Sequence, residues 1–253
     1  METARHLVAM LGMAILGGGL VVGCSGSGGA GCSVGQEMGR ASPESPGTML
    51  NERERADGFR PLFDGVSLAG WKGFTTASPP TGWKAVTGEL VRDGAGGDLV
   101  TVDLFADFEL RLDWKISMNG NSGIMFRAGP GGKYPWETGP EFQVLDNAGH
   151  KDGQSPLTSA GSNFAVHAPV KDVTRPVGEW NEIRLIARGP HVEHWMNGVK
   201  LLEYEIGSDD WTARVKASKF ATMPGYGRES RGHIVLQDHG DVVAYRNVRL
   251  KIL

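Results

Sequence analysis

The chain has 253 residues, of which 40% are hydrophobic and 22% charged, with a formal net charge of −3. Such a composition supports a packed core, excludes a disordered chain, and offers no basic surface that would make nucleic acid a partner. The 38 glycines are about twice the usual share of roughly 7%, which points to many turns joining short strands.

Residues 1–23 pair a weak basic start, Arg5 and His6, with an apolar run from Leu7 to Leu20 and end in Val21-Val22-Gly23-Cys24. The run is short for a spanning helix and is followed by small residues, so it reads as a secretory signal. Its end resembles the bacterial lipoprotein signal, in which the cysteine becomes the lipidated first residue. That resemblance makes Cys24 the expected lipid attachment site and the acyl chains the only membrane contact. The expected location is across the inner membrane, held at the outer membrane or cell surface. Residues 24–57 are expected to be a flexible linker, since the stretch 25–48 is mostly Gly, Ser and Pro with little to bury. Cys24 and Cys32 are the only cysteines, so the remainder, a domain expected over 58–253, stands on packing without an internal disulfide.

Within that domain, strands are predicted at Leu99–Val102, Phe108–Ile116, Gly123–Arg127, Glu141–Asp146, Glu182–Ala187, Val192–Met196, Val199–Ile206, His233–Gln237 and Val242–Ile252. Phe108-Glu-Leu-Arg-Leu-Asp-Trp-Lys-Ile116 alternates apolar and polar without a break, as a half-buried antiparallel strand does. Asn197-Gly198 is the preferred pair for a type I′ hairpin. One surface helix is predicted over Asp209–Phe220, capped by Ser208, with acids in its first turn and Lys216 and Lys219 in its last. Many strands and one late helix predict an all-β, two-sheet antiparallel sandwich.

Six separated motifs then stand in one order: Gly58-Phe-Arg-Pro-Leu-Phe-Asp-Gly65 with Leu68-Ala-Gly-Trp71; Asn121-Ser-Gly-Ile-Met-Phe-Arg127; Gly139-Pro-Glu-Phe-Gln-Val-Leu-Asp-Asn147; Gly178-Glu-Trp-Asn181; His194-Trp-Met-Asn-Gly198; and Gly232-His-Ile-Val-Leu-Gln-Asp-His-Gly240 with Tyr245-Arg-Asn247. Together they resemble the 3-keto-disaccharide hydrolase domain family over residues 58–253. The resemblance implies a concanavalin-like jelly roll acting on glycosides already oxidised at carbon 3, so the expected partner is an oxidised saccharide. A ketone at carbon 3 acidifies the hydrogen on carbon 2. Its removal can expel the oxygen on carbon 1 by elimination, after which water adds; direct hydrolysis is the other route. The site then needs a base, an acid for the departing oxygen and a cation or donor on the carbon 3 oxygen.

Strand alternation selects candidates. Glu141 and Gln143 share a face, Arg127 is expected on the face of Gly123 and Met125, and Gln237 and His239 share a face about 7 Å apart at roughly 3.3 Å per residue. His239 is the expected base or metal ligand, Glu141 the acid-base partner or ligand, and Arg127 the enolate stabiliser. Gln143 and Gln237 are the expected sugar contacts, with Trp136, His150 and His194 as further substrate-binding candidates. Each has a plainer reading: a turn histidine for His239, an ion pair to Glu141 for Arg127, an exposed loop residue for His150. No HxH or CxxC spacing is present, so no cofactor is fixed, and a divalent cation is expected only by way of Glu141, His239 and a loop ligand. A non-catalytic, lectin-like carbohydrate-binding module is the competing reading. A conventional glycosidase ranks last, because Glu141–Asp146 does not carry two carboxylates on one strand face at the needed spacing.

Overall fold

Alternation governs the architecture. In Phe108–Ile116 the apolar positions are buried, while Arg111, Asp113 and Lys115 are half-buried on the other side. The computed structural model describes residues 50–253; the signal, Cys24 and most of the expected linker lie outside the described residues.

In chain order, helix α1 (Glu52–Ala56) precedes strands β1 (Arg60–Pro61), β2 (Trp71–Gly73), β3 (Trp83–Val86), β4 (Glu89–Arg92), β5 (Leu99–Thr101), β6 (Phe108–Ile116), β7 (Asn121–Ala128) and β8 (Glu141–Leu145). They are followed by β9 (Asn181–Arg188), β10 (His191–Met196), β11 (Val199–Glu205), helix α2 (Asp209–Lys216), β12 (His233–Leu236) and β13 (Val243–Ile252). One sheet runs β11-β10-β9-β6-β13-β4-β3, with β1 added beside β13; the other runs β2-β5-β12-β7-β8. The recorded pairings are antiparallel, giving the predicted two-sheet sandwich. Between the sheets lie Phe108, Leu110, Leu112 and Trp114 from β6, Ile124 and Phe126 from β7, Phe142 and Val144 from β8, and Ile234 and Leu236 from β12. Each fully buried Leu or Phe there contributes on the order of 2 kcal/mol. Asn197 and Gly198 both have positive φ, 49° and 79°, as a type I′ turn requires.

Two expectations are corrected here. The expected linker boundary at residue 57 falls too late, because Asn51 and Glu54 form a reciprocal capping box on α1 and the buried Glu54 carboxylate accepts from Arg249 Nε at 2.6 Å. The predicted helix over Asp209–Phe220 stops at Lys216. Ser218 then caps a separate 3-10 turn, Lys219–Thr222, whose Phe220 is buried against Tyr226, ring centroids 3.9 Å apart. This break carries Lys219 off the helix surface and toward the second sheet. No described helix is long and apolar enough to cross a membrane.

Candidate active site

The outer face of the five-stranded sheet carries both an apolar strip and a polar hollow. Val100, Met125, Ala128 and Val235 form the strip, with Phe74 and Trp136 packed on it. Beside it, Asn121, Glu141, Gln143, Asp152, Phe164, Lys219, Gln237 and His239 line a shallow hollow of about 50 Å³. That volume suits reacting atoms and a water, so most of any saccharide must lie over the rim.

Glu141 begins β8, and its carbonyl accepts from Phe164 N at 3.0 Å, which ties the strand to the loop that covers its free edge. Its side chain is 4% exposed and lies directly on Gly123, where a Cβ would collide with the carboxyl oxygen. The Gln143 amide is satisfied with its nitrogen 2.9 Å from the Ser122 carbonyl and 3.1 Å from Glu141 Oε1. Burial pushes the Glu141 carboxyl up to about 8; the Lys219 ammonium opposes that shift, and the Asp98 carboxyl adds to it. Glu141 therefore holds its proton at neutral pH.

Lys219 supplies the positive charge of the hollow. Its Nζ lies 4.3 Å from the ring centre of Phe164, 5.0 Å from that of Phe220 and 5.5 Å from that of Trp136. Burial lowers its pKa, and Glu141 and Asp152 raise it in part. His239 is exposed, on the turn held by Asp238, whose carboxylate accepts from Gly97 N and Gly240 N and pairs with Arg92 Nη2 at 2.6 Å. Its Nε2 is 3.5 Å from the Asn121 amide, and its ring centre is 6.5 Å from that of His150. His150 Nδ1 accepts from Asp152 N at 3.1 Å, so when neutral the ring carries its proton on Nε2. The loop that presents His150 is fixed by Asp146, whose carboxylate accepts from Asn119 N, Ala148 N and Gly149 N.

Glu141, His239, Gln143 and Gln237 thus meet in one hollow, with His150 beside His239 and Trp136 over Lys219. Arg127 does not join them. Between β7 and β12, Met125 pairs with Val235 and Ala128 with His233, so two residues of β7, Phe126 and Arg127, oppose the single residue Ile234. Arg127 is the extra residue of this bulge, at φ 49°, and a bulge breaks the parity on which the expectation rested. Its guanidinium instead bonds the carbonyls of Ala106 and Gly189 at 2.9 and 2.7 Å and the carboxylate of Asp107 at 3.0 Å. His194 is also displaced from its expected role. It is fully buried between the sheets, stacked 4.7 Å from the Phe142 ring. Its Nδ1 donates to the Gly161 carbonyl and its Nε2 faces Tyr204 Oη. Burial above all drops its pKa to about 3.

The groups that could hold a cation in the hollow are Glu141, His239, His150 and Asp152. Among the described residues, three ligand atoms come within 4.8 Å of one another at His191, Glu193 and Glu203 instead. There the Lys200 ammonium already sits 2.6 Å from Glu203. The hollow's donor set does not fit one coordination sphere. A larger cavity, about 520 Å³, opens beside Trp114 and Leu145; two of its carboxylates, Asp146 and Asp172, are engaged with backbone amides, and the third, Glu179, is exposed.

Lys219, Asp152, Asn121 and Phe164 are additions that the strand reading missed. Asn121 was within reach of it, having the parity of Gly123. Lys219 was not, because the helix pattern runs through it without showing the break at Ser218.

Residues 58–251 match the family described as the 3-keto-alpha-glucoside-1,2-lyase-like domain. The chain belongs to that family. It is 32% identical to a Bacteroides thetaiotaomicron protein named 3-keto-disaccharide hydrolase, over 94% of this chain and 96% of that one. A solved Parabacteroides distasonis structure, named as a glycosyl hydrolase, is 37% identical with a TM-score of 0.77, covering 81% of this chain and 99% of its own. A second from the same organism, 24% identical with a TM-score of 0.62, shares the fold. Those names support a carbohydrate-processing enzyme, and the polar hollow on the outer sheet face is the candidate site for it.

Proposed function

We propose that this protein cleaves the glycosidic bond of 3-keto-glycosides, including 3-keto-disaccharides, by elimination across carbons 1 and 2. The observation that carries the reading is a carboxyl buried on Gly123, where burial raises its pKa, sharing one hollow with an ammonium and an imidazole. His239 removes the hydrogen on carbon 2. The freed electron pair moves onto the carbon 3 oxygen, where the Lys219 ammonium takes the place intended for Arg127 and stabilises the enolate. The enolate then reforms the ketone, a double bond forms between carbons 1 and 2, and the carbon 1–oxygen bond breaks. Glu141 gives its proton to the departing oxygen. Gln143, Gln237 and the Nε2–H of His150 contact sugar hydroxyls, and Trp136 offers a flat face at the rim. The anchor belongs to the same proposal: acylation at Cys24 would hold the enzyme at a membrane facing saccharides outside the cytoplasm, and label from radioactive fatty acid should vanish in Cys24→Ser.

The deciding experiment incubates the full chain with a 3-keto-disaccharide and follows loss of the ketone substrate and release of the second sugar. Turnover that collapses in Glu141→Gln while the fold survives supports the reading. Binding of unoxidised sugars without any turnover would instead establish the lectin-like module.

A further inference from the structure

The names of the family and of the Bacteroides relative part at one chemical step. A 1,2-lyase is finished when the double bond between carbons 1 and 2 has formed, whereas a hydrolase adds water across it. That addition needs a base for the water, either the carboxylate that has just served the leaving group or a second one placed apart from it. Leu236 of β12 pairs with Ile124 of β7 and with Leu99 of β5. One residue further along, Gln237 therefore stands between Gly123, whose carbonyl accepts from Gln237 N at 2.9 Å, and Asp98. Val100 faces outward into the strip with Met125 and Val235, and Asp98, two residues earlier, has the same parity.

Two strand spacings place Asp98 about 10 Å from Gly123 along the backbone, and the Glu141 carboxyl lies over Gly123. The two carboxyls thus flank the Gln237 amide, close to the roughly 6.5–9.5 Å that leaves room for a water between acid and base. Asp98 has no cation of its own, because the neighbouring Arg92 is taken up by Asp238. One oxygen, Oδ1, accepts from Asp238 N at 2.9 Å. The other makes no hydrogen bond among the described residues. Gln237 Oε1, between the two acids, is likewise buried without a partner. A half-buried carboxylate without a counter-ion beside a second carboxyl is costly to a fold and is the kind of arrangement found where chemistry is done.

We propose that Asp98 is the catalytic base that adds water to the unsaturated ketone, so that this chain is a hydrolase rather than a lyase; the proposal rests on the elimination reading above. Asp98 Oδ2 takes a proton from the water as its oxygen bonds to carbon 1. The double-bond electrons shift to give the enolate again, held by Lys219. Carbon 2 then takes back the proton that His239 removed, and the ketone reforms. The leftover proton on Asp98 passes to Glu141, which lost its own to the leaving group. The order of affinities favours that transfer: burial raises Asp98 to about 6, although the hydrogen bond from Asp238 N opposes the shift, against about 8 for Glu141.

The test uses the full chain, a 3-keto-disaccharide, and two signals: loss of substrate, and the ultraviolet absorbance of the conjugated ketone. Asp98→Asn keeps an acceptor for Asp238 N and removes only the base. It should consume substrate within a few-fold of wild type, accumulate the unsaturated ketone, and hydrate it on the order of 10²-fold more slowly. Hydration at the wild-type rate in that variant, or equal slowing of both steps, overturns the proposal. So does a wild-type protein that itself stops at the unsaturated ketone, a result that leaves the elimination reading standing. A wild-type protein that never consumes the glycoside sinks the elimination reading first.

Should Asp98→Asn fail to fold, the unsaturated ketone is supplied directly to the wild type. Hydration must then fall as pH drops below about 6, the Asp98 value. The charged groups facing Asp98 are Asp238 with its Arg92, and Glu141 across Gln237, with His239 on the adjoining turn and Lys72 on β2. A flat profile overturns the proposal.

Discussion

The two faces of the five-stranded sheet bury polar groups on opposite terms. Inside the sandwich, His194 gives its Nδ1 proton to Gly161 and faces Tyr204 with Nε2, while Ser122 bonds both Gln237 O and Tyr245 Oη. Those groups are spent on one another, so they specify the fold and are closed to a substrate. On the outer face, Glu141 is as dry but sits against Gly123, an ammonium and an imidazole, and Gln237 Oε1 has no partner. Neither burial nor a lone unpartnered atom therefore marks a site here, since Trp114 Nε1 between the sheets also lacks a partner; a buried carboxyl, an ammonium and an imidazole lining one open hollow do.

The widest separation between the two faces should appear in turnover. Glu141→Gln removes the acid but keeps an amide of the same size in the hollow, and kcat on a 3-keto-disaccharide is expected to fall about 10²- to 10⁴-fold. The melting temperature should hold or rise. Steady-state kinetics beside thermal unfolding checks both; an unchanged kcat removes Glu141 from the chemistry.

The two cations come next. Lys219→Met should cost about 10²- to 10³-fold in kcat through loss of the enolate's charge partner. Arg127→Ala should leave kcat within a few-fold. It removes two hydrogen bonds to the carbonyls of the exposed Ala106 and Gly189 and so costs about 0.5–1.5 kcal/mol of stability per bond lost, read as a lower denaturant midpoint. The reverse pattern would restore Arg127 to the site.

That reversal shows what the chain could disclose by itself. The strand pattern and the six ordered motifs made the sandwich legible, as well as the meeting of Glu141, Gln143, Gln237 and His239, because side-chain period and register follow from alternation. Arg127 was misplaced because a bulge is one extra residue, and nothing in Asn121-Ser-Gly-Ile-Met-Phe-Arg127 announces where β12 will skip it. His194 alternates correctly, yet only the packing of one sheet over the other shows that its face is the inner one. Lys219 and Asp98 lie outside any motif, one past a helix break and the other just before a strand. Their proximity to Glu141 is a property of the assembled sheet and of the loops on it.

Gly123 allows the hollow to be altered without touching a titrating group. Its φ is not in the left-handed region, since it is absent from the positive-φ glycines, so alanine is compatible with the backbone. The added methyl meets only the Glu141 side chain among the close contacts, and must push the carboxyl off its seat. Gly123→Ala should lower kcat about ten-fold or more, as misplacement by about 1 Å can cost up to 10²-fold, while unfolding changes little. A loss of stability in place of activity would mean that the carboxyl is part of the packing rather than poised over the sheet.

The effect furthest from turnover, and the most diagnostic of burial, is the pH dependence of stability. Glu141 has a pKa of about 8 in the folded chain, against about 4.3 for an unfolded glutamate. Between those values the folded state holds a proton that the unfolded state has released, so this group's contribution to stability falls steadily as pH rises from about 4 to about 8 and then levels. Glu141→Gln abolishes that slope. The melting temperature of the variant relative to wild type should therefore climb between pH 5 and pH 8 and stay constant beyond. His194 does not disturb the comparison: with a folded pKa of about 3 it is neutral in the fold throughout the range, and above about 6.5 its unfolded counterpart is neutral too. Below that its penalty grows identically in both proteins and cancels in the difference. A difference that stays level from pH 5 to pH 8 would show that Glu141 is ionised and solvated in the fold, and the acid assigned to the departing oxygen would have to be sought elsewhere on the sheet.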